Sequence, residues 1–197
     1  MYLKINPKKI TNAELTVIVK ALESGEVIVY PTDTIYGLGC LATDEKAINK
    51  IKLIKKRDEN NPLLFLVSSL NMAKKYCIIN SKQALILKNL WALNRPTSVI
   101  LRHRNLLANE LNPKQIGLAI RLPKSDFLRK MIRRVKVPIV STSFNLSGEP
   151  VLNRVDFLAD KVFGKNYPDL IIDGGMLKNR ASKIVDLMGD HLKIIRK

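Results

Sequence analysis

The stretch Val27-Ile28-Val29-Tyr30-Pro31-Thr32-Asp33-Thr34-Ile35-Tyr36-Gly37-Leu38-Gly39 decides how this chain is read. Its four apolar residues predict a short buried strand over 27–30. Pro31 ends that strand, because it has no N–H to give to a sheet ladder. Three side-chain oxygens in succession and two glycines follow. Hydroxyls and exposed backbone amides beside a strand end suit a small anionic or hydroxylated ligand. The plainer reading is a polar turn with glycines where the backbone is tight, and the stretch alone does not choose between them. Gly37-Leu38-Gly39-Cys40-Leu41-Ala42 also spells G-x-G-x-x-A, but six residues separate it from Tyr30. A dinucleotide-binding turn follows its strand directly, so that reading is set aside.

Outward from this stretch, helix-like and strand-like segments alternate. Residues 12–24 predict a helix with Leu15, Ile18, Val19 and Leu22 on one face and Gly25 as its stop. A second helix is expected over 44–56, capped by Thr43, with Asp44 and Glu45 in its first turn and lysines near its end, an order that suits the helix dipole. Strands are expected over 63–67, 98–101, 117–120, 138–140, 170–172, 184–187 and 192–195, and helices near 69–76, 81–91, 125–134 and 155–163. The pattern is α/β: a mixed sheet flanked by helices, with short connections near the C-terminus that call for some antiparallel pairing. No repeat and no long Gly/Ser linker interrupts the 197 residues, so a single domain over 1–197 is expected.

Composition narrows the partners. Lys and Arg number 34 against 17 Asp and Glu, a formal charge of +17 that favours polyanions such as nucleotides or nucleic acid. Part of the lysine content accompanies Ile and Asn in an AT-rich bias and fits a solvated face. Aromatic residues are only 6% of the chain, so a base-stacking platform for single strands is poorly supplied. No apolar run approaches the roughly 20 residues of a membrane span, and the first residues lack a signal peptide's apolar centre. Cys40 and Cys77 stand apart without metal-type spacing and fit free thiols in a reducing cytoplasm. There is no P-loop motif, no zinc-ligand cluster, and no motif pairing His103 or His191 with a nucleophile.

Several strand ends carry hydroxyls or cations. Lys55-Lys56-Arg57, before Asn61-Pro62-Leu63, places a point charge and a planar fork where a helix ends, which suits a polyphosphate; the alternative is a solvated charge run. In Ser141-Thr142-Ser143-Phe144-Asn145-Leu146-Ser147-Gly148, the residues Ser141, Ser143 and Asn145 share a face if the chain is extended. They could meet phosphate or ribose, or satisfy their own backbone. Arg121 ends an apolar strand, and Ser98 and Ser182 open others. Together these fit a pocket at one edge of a sheet.

In this order, PTDT-x-YGLG, K-x-R with NPL, R-x-P, STS-x-N-x-SG and S-x-IVD resemble the YrdC-like family, the L-threonylcarbamoyladenylate synthases, over roughly residues 12–187. The resemblance implies the single-domain form of a twisted α/β sheet with a basic concave face. It implies conversion of L-threonine, bicarbonate and ATP to threonylcarbamoyl-AMP and pyrophosphate, for modification of adenosine 37 in tRNA. Lys55, Arg57, Ser98, Ser143 and Asn145 then correspond to the ATP side. Thr34, Arg121, Ser141 and Ser182 correspond to the threonine and bicarbonate side. Mg²⁺ accompanies ATP, with no dedicated protein cage and no metal-ligand residues assigned. The implied partners are tRNA or another RNA on the basic face and downstream threonylcarbamoyl-transfer proteins, in the cytoplasm and without a membrane. No covalent nucleophile is required: the amine attacks bicarbonate, and the carbamate oxygen attacks the α-phosphorus, so positioning and charge neutralisation carry catalysis. The chain departs from the family at Lys56 (commonly Gly), Leu66 (His in many members), Phe144 (usually Ala, here adding bulk beside the nucleotide loop), Asn179 and Lys183. Two other readings stay open: a non-catalytic RNA-binding relative, and a related carbamoyl- or acyl-adenylate enzyme with another substrate.

Overall fold

The computed structural model describes residues 1–58, 61–112, 117–155, 166–189 and 191–196. After β1 (Tyr2–Lys4), α1 (Asn12–Glu23) starts on a capping box. Glu14 N–H donates to Thr11 Oγ1 at 3.2 Å, and Thr11 N–H donates to Glu14 Oε2 at 2.7 Å. The helix stops before Gly25, whose φ of +79° disfavours any residue with a Cβ. Strand β2 (Ile28–Tyr30) ends at Pro31 as expected.

The glycines of the opening stretch lie in a strand, not in a turn: β3 (Gly37–Gly39) pairs antiparallel with β2, Val29 opposite Leu38. Their smallness serves close approach within the sheet. A Cβ on Gly39 would stand 2.0 Å from Val140 O, and one on Gly37 would stand 3.0 Å from the Tyr30 ring. Helix α2 (Glu45–Lys55) is capped by Asp44 and not by Thr43. Ala47 N–H donates to Asp44 Oδ1 at 2.9 Å, which puts the cap one residue later than the threonine.

The chain continues through β4 (Leu64–Leu66), α3 (Leu70–Tyr76), α4 (Ser81–Ala92), β5 (Thr97–Arg102) and a 3₁₀ turn (Asn109–Leu111). Then come β6 (Gly117–Arg121), α5 (Asp126–Val135), β7 (Ile139–Ser143), β8 (Leu170–Asp173), β9 (Lys183–Asp186) and β10 (Lys193–Arg196). The helix expected over 155–163 lies, from 156 on, outside the described residues. Among the described residues ten strands form one mixed sheet in the order β1-β8-β2-β3-β7-β4-β6-β5-β9-β10. The expected antiparallel pairing near the C-terminus is that of β9 with β10.

Strand parity divides the core. On one face Val29, Leu38, Phe65, Leu118, Ile120 and Val140 pack under α2, α3 and α4 with Ile48, Ala73 and Leu87. On the other, Ile28, Tyr30, Leu66, Ile139 and Ile172 pack under α1 and α5 with Ile18, Leu22, Phe127 and Met131. Arg121 is the register partner of Leu66, and Ser141 and Ser143 follow Ile139 in steps of two. They therefore share the α1–α5 face but lie beyond its apolar cluster. Among the described residues the two helices cover only part of that face, and the rest lines a cavity.

Candidate active site

The cavity encloses about 410 Å³, with walls from the 32–37 segment, the start of β4, and strands β5, β6, β7, β9 and β10. Thr34, Arg57, Arg121, Ser141, Ser143 and Ser182 line it; Lys55, Ser98 and Asn145 stand behind that lining. Residues far apart in sequence thus converge at one site.

Lys55 ends α2 and is 1% exposed. Its Nζ donates to Ser143 O at 2.6 Å, Asn145 O at 2.7 Å and Asn145 Oδ1 at 2.9 Å. An ammonium has three protons, and all three are engaged. Lys55 therefore ties the loop after β7 to the end of α2, and Ser147 N–H donating to Lys55 O at 2.9 Å closes the tie. Burial, and then the charge of Arg57, lowers its pKa to about 8. Ser143 Oγ donates to Asn145 Oδ1 at 2.6 Å, and Asn145 Nδ2 donates to Glu149 O at 2.6 Å.

The expected alternative of a solvated lysine run does not describe α2, since Lys52 is also only 5% exposed. Lys56 then turns the chain with φ 49° and ψ 44°. That left-handed backbone is where glycine fits best, which explains the glycine common at this position in the family. The turn aims Arg57 into the cavity. Arg57 Nη2 donates to Pro62 O at 3.0 Å, while its buried Nε has no partner. Burial lowers its pKa.

Opposite stands Arg121. Its Nη1 donates to Thr34 Oγ1 at 3.0 Å, and its Nη2 lies 3.4 Å from Asp33 Oδ1. Asp33 Oδ2 accepts from Lys124 N–H at 3.0 Å, and Asp33 O accepts from Asn179 Nδ2 at 3.2 Å. Thr32 Oγ1 accepts from Thr34 N–H at 2.9 Å and donates to Ile35 O at 2.7 Å. This leaves Thr34 as the donor in the 2.8 Å Thr32–Thr34 hydroxyl pair. The Nε of Arg121 is also buried without a partner. Ser98 and Ser182 share a hydroxyl bond of 2.8 Å, which joins a residue expected on the ATP side to one expected on the threonine side.

Sequence reasoning missed Arg196. It lines the cavity from β10 and donates to Ser182 O through Nε at 3.1 Å and Nη2 at 2.7 Å. Burial, and then the Arg121 charge, lowers its pKa. It lies beyond the last motif, but a cation ending the strand expected over 192–195 was the available signal. Three guanidiniums thus face one cavity with no carboxylate among its described lining residues, an arrangement suited to an anion.

Two family departures also resolve. Leu66 is fully buried in the cluster under α1 and α5 and does not line the cavity. Phe144 is fully buried in the cluster of the opposite face, so it adds no bulk on the nucleotide side as expected from sequence. Among the described residues no group of three or more His, Cys, Asp or Glu could hold a metal, and no helix is long and apolar enough to cross a membrane.

The family pattern Sua5/YciO/YrdC, described as telomere recombination, matches residues 20–197. A threonylcarbamoyl-AMP synthase of Psychromonas ingrahamii is 31% identical over 166 residues, which cover 82% of this chain and 85% of that protein. The crystal structure of E. coli YciO superposes with a TM-score of 0.88 at 24% identity, covering all of this chain and 95% of that one. Sua5 of Pyrococcus abyssi, crystallised with L-threonine, gives 0.88 at 23% identity; this chain is fully covered but spans only 57% of that longer protein. The two structural likenesses bear on the fold.

Proposed function

The chain belongs to the Sua5/YciO/YrdC family, and from that premise we propose that its cavity makes L-threonylcarbamoyl-AMP and pyrophosphate from L-threonine, bicarbonate and ATP. A synthase 31% identical along most of both chains supports this reading. The observation that carries it is the convergence of Arg57, Arg121 and Arg196 on one cavity with no carboxylate among its described lining residues.

Arg57, with Ser143 beside it, holds the polyphosphate. Lys55 and Asn145 act from behind, fixing the loop that presents Ser143 and adding charge. Arg121, oriented by Thr34 and Asp33, takes the threonine carboxylate, and Ser141, with the Ser98–Ser182 hydroxyl pair, completes that side. The threonine amine attacks bicarbonate and water leaves. A carbamate oxygen then attacks the α-phosphorus, and pyrophosphate departs with the bond electrons. Nothing here becomes covalently attached to protein; the arginines neutralise charge as it shifts onto pyrophosphate. Asp33 is already engaged by Arg121 and Lys124, so the described residues do not form a protein-held metal site, and Mg²⁺ enters as part of the MgATP substrate. The product serves tRNA modification at adenosine 37 through threonylcarbamoyl-transfer proteins in the cytoplasm. The whole of 1–197 acts as one domain.

Separate binding titrations test the division of labour. Arg57→Gln weakens ATP by at least tenfold and leaves threonine within twofold, while Arg121→Gln does the reverse. Equal weakening of both ligands by either variant contradicts the assignment.

A further inference from the structure

Strands β8 and β9 are consecutive in the chain but far apart in the sheet, with β2, β3, β7, β4, β6 and β5 between them. Residues 174–182 therefore form a strap that crosses the sheet and reaches the cavity with Ala181 and Ser182. Both ends of the strap are tied. At its base Gly174 N–H donates to Tyr36 Oη at 2.9 Å, Tyr36 Oη donates to Gly175 O at 2.7 Å, and Gly175 turns the chain at φ +83°. At its far end Ser182 shares the hydroxyl bond with Ser98, its carbonyl takes both Arg196 bonds, and Lys183 N–H donates to Pro96 O at 3.0 Å. Leu177 N–H, donating to Asn153 O at 2.8 Å, holds the near half. Residues 178–181 are all exposed, and among the described residues their one hydrogen bond runs from Asn179 Nδ2 to Asp33 O at 3.2 Å. A carbonyl partner requires the N–H of the amide, so the bond fixes which way the Asn179 side chain lies. Asp33 is itself a junction: its carboxylate meets Arg121 at 3.4 Å and the Lys124 N–H at 3.0 Å.

We propose that Asn179 is a positioning residue for the threonine side of the cavity: it latches the strap that carries Ser182 to the segment that orients Arg121. This role presupposes that the cavity is the site of threonylcarbamoyl-AMP formation. Asn179 does not line the cavity, so it acts through Ser182 and through Asp33 and Arg121. Those residues stand on the threonine side. Arg57 and Ser143, on the polyphosphate side, are held instead by the turn at Lys56 and by Lys55. Loss of the latch therefore loosens threonine selectively. Stability changes little, because water replaces an exposed hydrogen bond.

Steady-state pyrophosphate release is compared in the wild type and three variants. Asn179→Leu keeps the side-chain volume and drops the donor, Asn179→Gln keeps the donor, and Met176→Ala changes an exposed strap residue outside the cavity lining. Asn179→Leu is expected to raise KM for L-threonine about two- to tenfold, the range that one neutral hydrogen bond covers, while kcat and KM for ATP stay at the wild-type level. Asn179→Gln is expected to recover most of that loss, and Met176→Ala to match the wild type. Limited trypsin digestion of the ligand-free protein reads the latch without reference to activity. Cutting after Lys178 and Arg180, followed by fragment mass, is expected to be about threefold faster or more in Asn179→Leu, with the melting temperature unchanged. An unchanged threonine KM or nicking rate in Asn179→Leu, an equal rise in both KM values, or the same rise in Met176→Ala overturns the proposal. Wild-type pyrophosphate release that ignores threonine overturns the reading of the cavity, and the positioning role with it, whatever the trypsin comparison gives.

Discussion

If the cavity binds ATP as proposed, a proton switch at Lys55 near pH 8 is expected. Burial and the neighbouring Arg57 lower its pKa to about 8 in the ligand-free chain. A phosphate charge about 6 Å from Nζ, at an effective dielectric near 20, contributes roughly 3 kcal/mol, or about 2 pKa units. Binding therefore returns the lysine to about pH 10. The free protein is about nine-tenths protonated at pH 7 and about one-tenth at pH 9, so the Kd for ATP rises about ninefold over that range. The ligand-free chain follows the opposite sign. Its folded pKa lies below the usual lysine value, so the unfolded state binds more protons between about 8 and 10.5, and this group's contribution to stability increases as pH rises through that window. Calorimetric ATP titrations at pH 7, 8 and 9, in two buffers of different ionisation enthalpy, measure both affinity and proton uptake. Uptake near half a proton is expected at pH 8, and Lys55→Met abolishes both effects. A Kd flat from pH 7 to 9, or the same slope in Lys55→Met, refutes the reasoning.

Three further outcomes follow from local geometry. Lys56→Gly relieves a left-handed residue at φ 49°, and after the added freedom of the unfolded chain it stabilises by about 0.5–1 kcal/mol, read as a melting temperature higher by a few degrees. Gly39→Ala drives a Cβ to 2.0 Å from Val140 O and destabilises by about 1–3 kcal/mol, read as a lower melting temperature in the same scan. Arg196→Gln removes a cavity cation and its two bonds to Ser182 O, so kcat/KM for pyrophosphate release is expected to fall about tenfold or more, and the melting temperature to fall as well, since a charged hydrogen bond is worth about 1.5–3 kcal/mol.

Much of this architecture was legible because its elements are periodic. The faces of α1 and α2 repeat at helical spacing, and the apolar runs of β4, β6 and β8 are short and bounded. Strand β3 was not legible as a strand. Gly-Leu-Gly carries turn chemistry, and only the approach of Val140 O to Gly39 shows why a strand needs those glycines. Strand β1 is three residues long and is fixed by pairing with β8 far along the chain, which no local pattern reports. Among the site residues, hydroxyls and cations at strand ends were readable because parity aims them together. That Lys55 stands behind the lining and Arg57 within it was not readable, since it depends on the left-handed turn at Lys56. Arg196 belonged to a strand whose pairing partner, β9, alone brings it over Ser182.

In the proposed reaction one cavity, with no carboxylate among its described lining residues, couples ATP to threonine and bicarbonate. The direct measurement is pyrophosphate release with ATP, L-threonine and bicarbonate each omitted in turn, together with mass detection of the adenylate. Release is expected only when all three are present, with threonylcarbamoyl-AMP formed in equal amount and L-serine a poorer substrate, since one methyl in a pocket is worth about 1–3 kcal/mol. Pyrophosphate release that persists without threonine, or no adenylate with all three present, contradicts it.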